Sequence, residues 1–160
     1  MHLRKIRVHQ KKPFNGGGLS IEEQVQSALN LWLPLKTPAQ MLALSATIES
    51  VQTKIDAALK GLHYVHFARF LPTPDYSTLQ VVTTYDGDLD SYLMDFVVVL
   101  GDEFNAILEF VEGAPPLPVQ KYPQEFIAFV KSHNMKQVKV WSAYPFDTVL
   151  DVLTAPSTVR

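Results

Sequence analysis

Apolar residues recur three and four positions apart at Met41, Leu44, Ile48, Val51, Ile55 and Leu59, which predicts an amphipathic helix of about six turns. Thr37 and Pro38 supply a start signal for it, and Gly61 a left-handed stop. A second stripe runs through Leu89, Leu93, Phe96, Leu100, Phe104, Ile107, Leu108 and Val111, with a bend expected at Gly101 and Asp102. A third, shorter helix is predicted over 123–133, turning Phe126, Ile127, Phe129 and Val130 inward and stopping at Asn134. The prolines within 112–118 exclude helix there and predict an extended loop.

Elsewhere the period is two. Leu29, Leu31, Leu33 and Leu35 alternate with Asn30 and Trp32, so 28–35 reads as a half-buried strand, with a helical continuation as its competitor. Residues 63–71 and 78–84 are β-rich runs joined by a turn containing Pro72, Pro74 and Asp75. The corner Tyr85, Asp86, Gly87, Asp88 leads into the second long helix, which Asp88 or Asp90 caps. Val138, Val140, Trp141 and Tyr144 predict a last strand over 137–144, closed by Pro145. Ser20, Glu22 and Glu23 predict a brief extra helix near the start.

The resulting order, βαββαβ, is that of an α+β ferredoxin-like sandwich with a four-stranded antiparallel sheet and extra short helices. Right-handed crossovers place both long helices on one sheet face. The other face is expected to carry Trp32, Tyr64, His66, Phe70, Val82 and Trp141, and a face that apolar predicts a homodimer. Arg69 is assigned to the helix-covered side with His63, Val65 and Phe67, pairing there with Asp86, Asp88 or Asp90.

Composition adds exclusions. Cysteine is absent, so disulfides, thiolate metal sites and a cysteine nucleophile are ruled out. The first twelve residues hold Arg4, Lys5, Arg7, Lys11 and Lys12, 5 of the 14 basic side chains, whereas the remainder sets 9 bases against 16 acids. A body that acidic repels phosphate backbones, so no nucleic-acid partner is expected. Residues 1–18 read as a flexible basic leader and 19–160 as one domain. The longest aliphatic run, Val97 to Leu100, is far shorter than the roughly 18 residues of a membrane span, so a cytoplasmic protein without membrane contact is expected.

The element order, the segment from Asn30 to Lys36, and the run from Leu62 to Phe70 followed by Tyr85, Asp86, Gly87 and Asp88 resemble the dimeric α/β-barrel superfamily over roughly residues 26–145. The middle segment is similar to an uncharacterised bacterial domain sometimes associated with peroxidase-like proteins. This implies the ferredoxin-like fold and dimerisation. Because the superfamily includes cofactor-free monooxygenases and heme proteins, it also implies an oxidoreductase as one activity to weigh. The Gly-x-x-Asp-Gly motif of dye-decolourising peroxidases is matched only at Asp86 and Gly87, which a turn accounts for.

The leading functional expectation is a homodimer binding a small apolar or aromatic ligand between sheet and helices, lined by Trp32, Tyr64, Phe70, Trp141 and Asp86. The alternatives are an oxidoreductase, with His66 as base or heme ligand and Arg69 orienting an anion, and a structural or regulatory dimer without catalysis. His63 and His66, three apart on a strand, point to opposite faces, so no metal site is expected. The hydrolase, zinc-protease, phosphate-loop and dinucleotide fingerprints are all missing.

Overall fold

A computed structural model describes residues 24–156; the leader and the brief helix expected near Ser20 lie outside them. The elements are β1 (Gln26–Pro34), α1 (Met41–Leu62), β2 (Val65–Pro72), β3 (Thr78–Asp86), α2 (Leu89–Leu108), α3 (Pro123–His133) and α4 (Val149–Thr154), with a 3₁₀ turn at Pro38–Gln40. This is a mixed α+β structure around a three-stranded antiparallel sheet of order β1-β3-β2.

The central strand β3 sets the layers. Leu79, Val81, Thr83 and Tyr85 are buried on its inner face. Across the ladders Leu79 stands opposite Leu33, and Val81 opposite both Leu31 and Phe70. The alternation of leucines in β1 therefore has the expected phase. Met41, Leu44, Ile48 and Ile55 of α1, and Leu93, Phe96, Leu100 and Ile107 of α2, join the same core. Leu33, Leu44 and Leu79 are essentially inaccessible, and each contributes about 1.5–3 kcal/mol by leaving water. Helix α3 buries the four residues its period marks, and Phe126 meets Phe104 of α2 with ring centroids 5.5 Å apart.

The bend in α2 occurs where glycine permits it. Leu100 leaves helical geometry (φ −129°, ψ 17°), and a β-carbon on Gly101 would run into the Gln120 side chain. Gln120 in turn donates to Asp102 (2.8 Å) and accepts from Asn105 (2.9 Å), while Asn105 accepts from the Val119 amide (2.8 Å). The proline-rich loop is thereby latched to the kinked helix. At the start of α2, Asp88 accepts from the Ser91 amide at 3.0 Å, which holds its carboxyl below the usual carboxylate range.

Four expectations need correction. Helix α1 continues through Gly61, and His63 instead takes the left-handed position (φ 55°), since a helix ends where the chain must turn into β2 rather than at the nearest glycine. Residues 137–144 form no strand. The Met135 amide donates to the Asn30 carbonyl (2.9 Å), but the chain then bows away, held only by side chains, Asn30 donating to Gln137 (2.8 Å) and Gln24 to the Val140 carbonyl (3.2 Å), until the Val25 amide donates to Pro145 (2.9 Å). Trp141 is accordingly off the sheet and 72% exposed. Beyond His66 the inner and outer residues of β2 are also exchanged: Ala68 and Phe70 face the helices, and Phe67 and Arg69 face away, while Val65 and His66 keep their expected sides. Tyr64 lies on the helix side as well, its hydroxyl donating to Asp95 of α2 at 2.9 Å. Helix α4, which the sequence reading lacks, is fixed by a capping box between Thr148 and Asp151.

Tyr85 stacks on Tyr92 at 3.9 Å between centroids, and the Tyr92 hydroxyl donates to Thr83 Oγ1 at 2.8 Å. Burial pushes the Tyr85 phenol up to about 12 and raises Tyr92; Tyr64 is raised by burial and then by its bond to Asp95. A raised folded value favours the neutral phenol, so this stability is complete below the unfolded value of about 10 and disappears as pH climbs through the folded one. Urea midpoints should therefore stay level up to about pH 10 and drop beyond it, with tyrosinate absorbance rising along with unfolding. Tyrosinate from all three residues at pH 10 in still-folded protein would contradict this burial.

Candidate functional site

The chemistry gathers on the sheet face that the helices leave uncovered, and a bulge creates it. Val65 stands opposite Tyr85 and Phe67 opposite Thr84, so His66 is an extra residue in β2. In such a bulge adjacent side chains share a face. His66 consequently reaches Asp86, the last residue of β3, with Nε2 2.7 Å from Oδ1; the side chains keep 9% and 13% of their accessibility. An ionised carboxylate only accepts, so Nε2 donates and, in the neutral ring, Nδ1 is the basic atom.

Asp86 has a second task. Its Oδ2 accepts from the Val149 amide (2.8 Å) in the first turn of α4, and Gly87 behind it takes φ 94° to turn the chain. Gln26, opposite Asp86 on β1, donates to the carbonyls of Tyr144 (2.9 Å) and Asp147 (3.0 Å). The C-terminal segment is thus tied over one end of the face, and Asp86 links β2, β3 and α4. The remainder of the face is open: Trp32, Phe67 and Leu71 are all exposed.

Of the residues singled out by sequence, His66, Asp86, Arg69 and Trp32 share this face, whereas Phe70 and Tyr64 belong to the helix side and Trp141 to the bowed segment. Arg69 does not pair as expected. Asp86 is taken by His66, Asp88 caps α2, and Asp90 pairs with Lys131 at 2.6 Å, so among the described residues no acid lies within ion-pair reach of Arg69. Sequence reading missed Phe67 and Leu71 as surface residues of this face. Their signal was the alternation Phe67, Arg69, Leu71, of which Phe67 and Arg69 were assigned to the helix side.

Between sheet and helices, where a ligand was expected, the structure has an apolar void of about 20 Å³ lined by Ile55, Phe70, Val81, Phe96 and Leu100 among others. That is room for roughly one water-sized molecule, not for an aromatic ring or a porphyrin. It is also separate from the His66–Asp86 pair. No cluster of three metal-ligating groups occurs among the described residues, and no helix among them is long and apolar enough to cross a membrane.

Comparison with protein-family models, curated proteins and solved structures finds no match to this chain.

Replacing Asp86 with Ala should leave the Val149 amide without its acceptor and the His66 ring without its partner, a loss of about 1–3 kcal/mol. Hydrogen exchange should show α4 losing protection well beyond any change in α1. Equal protection of α4 in both proteins would mean that Asp86 does not hold it.

Proposed function

We propose that the protein is a homodimeric module of ferredoxin-like plan that binds a small aromatic or apolar molecule on the open face of its sheet, beside the His66–Asp86 pair. The observation that carries this reading is the coexistence on one face of exposed Trp32, Phe67 and Leu71 with a nearly buried histidine held by a carboxylate. Aromatic surface left in water marks a contact site, and a positioned imidazole beside it gives that contact a directional polar group. The order β1-β3-β2 is what a ferredoxin-like sheet has when its fourth strand, beside β1, is missing. Asn134 and Met135 already touch β1 at that edge, through Asn30.

Size argues for a wider interface than the strands alone. Three strands of this length offer roughly 400 Å² in projection, about half of what each partner contributes to an ordinary stable interface. Trp141, Tyr144 and Phe146, all exposed on the neighbouring segment, supply further surface for a second copy. Burying an aromatic such as Phe67 across a two-fold axis contributes about 1.5–3 kcal/mol per copy. A glutamate there brings a charge that must be desolvated.

Light scattering during size-exclusion chromatography should give wild-type protein near twice its 18.0 kDa chain mass, and Phe67→Glu near one chain mass. A wild-type monomer at micromolar concentration, or a mutant dimer as stable as wild type, would overturn the open-face interface.

A further inference from the structure

We infer that the molecule taken by the open face is an aromatic carrying an anionic group, and that Arg69 is the cation that holds it. This deepens the reading above and rests on it. The charges on the face are few: from β1 come Gln26, Ala28, Asn30 and Trp32, from β3 Thr78, Gln80, Val82, Thr84 and Asp86, and from β2 His66, Phe67, Arg69 and Leu71. Asp86 is the one acid among them, and His66 and the Val149 amide occupy both of its oxygens. Arg69 is left as a cation with no acid partner among the described residues, set between Phe67 and Leu71 on its own strand and opposite Val82 on the next.

That setting selects a ligand. A guanidinium offers a planar fork of donors suited to carboxylate, sulfonate or phosphate oxygens, and it also stacks on rings. Phe67 on the same strand and Trp32 across the sheet supply apolar surface for the body of the molecule. If a second copy closes over the face, each Arg69 leaves water with no protein carboxylate to meet it, which is strongly unfavourable unless the enclosed molecule brings the negative charge. Long-range attraction does not account for anion binding here, since the chain as a whole has a formal net charge of −2. Selectivity then depends on Arg69.

The test uses the full chain and two fluorescent probes of similar size: anilinonaphthalene sulfonate, which is anionic, and N-phenylnaphthylamine, which is neutral. Wild-type protein should bind both. Arg69→Gln should weaken the sulfonate by about tenfold or more, the scale of a lost charge-assisted hydrogen bond, and leave the amine within about twofold. Arg69→Lys should retain part of the sulfonate preference. Phe67→Glu should weaken both probes. If Arg69→Gln alters neither probe, or both equally, while Phe67→Glu still weakens them, the anionic class is wrong and the face stands. If Phe67→Glu leaves both unchanged, or wild type binds neither, the open-face reading itself falls.

Discussion

One extra residue in β2 governs the arrangement of the open sheet face. With His66 inserted between Val65 and Phe67, the strand reverses its phase against β3, so Val65 still faces the core while Ala68 and Phe70 replace the residues that simple alternation would send there. Without the bulge either Arg69 would be driven into the helix layer or Val65 would be expelled from it. An uncompensated arginine in that layer would be far more costly than the single unpaired residue a bulge introduces.

The bulge also explains why Asp86 is so heavily used. A histidine displaced toward the end of β3 finds that carboxylate at 2.7 Å, and the carboxylate's other oxygen is free for the Val149 amide. Side-chain chemistry on the open face and docking of the C-terminal segment therefore share one group. Whatever perturbs the dyad should be felt in α4, and the converse also holds. The opposite face has no such sharing: its cohesion comes from aliphatic burial around Leu33, Leu44 and Leu79, with Tyr85 stacked on Tyr92 and Phe96 tilted against Tyr92.

Much of the fold was legible because it obeys a single period. The stripes of α1, α2 and α3, the leucines of β1, a cap from Asp88 or Asp90 and the bend at Gly101 follow from local spacing, and the structure has each of them, with Asp88 as the cap. The phase of β2 was not legible, since a bulge leaves no mark in residue types and both of its faces carry aromatics, Phe67 on one and Phe70 on the other. Residues 137–144 have the composition of a strand, yet a strand exists only through its neighbour, and here the anchors at Asn30 and Val25 let the chain bow out between them. Helix α4 is too short to show a period. In the site, His66, Asp86, Arg69 and Trp32 were nameable as individuals, but that one face gathers them could not be read without the register of β2.

The phase of β2 is thus the central claim, and the absence of cysteine from the chain makes it directly measurable. Single cysteines placed at positions 67, 68, 69 and 70 can be titrated with a thiol reagent in dilute folded protein. Phe67→Cys and Arg69→Cys should react at rates near those of a free thiol, whereas the half-buried Ala68→Cys and Phe70→Cys should react clearly more slowly. Fast reaction at 68 and 70 with protection at 67 and 69 would show a strand without the bulge and would contradict the account.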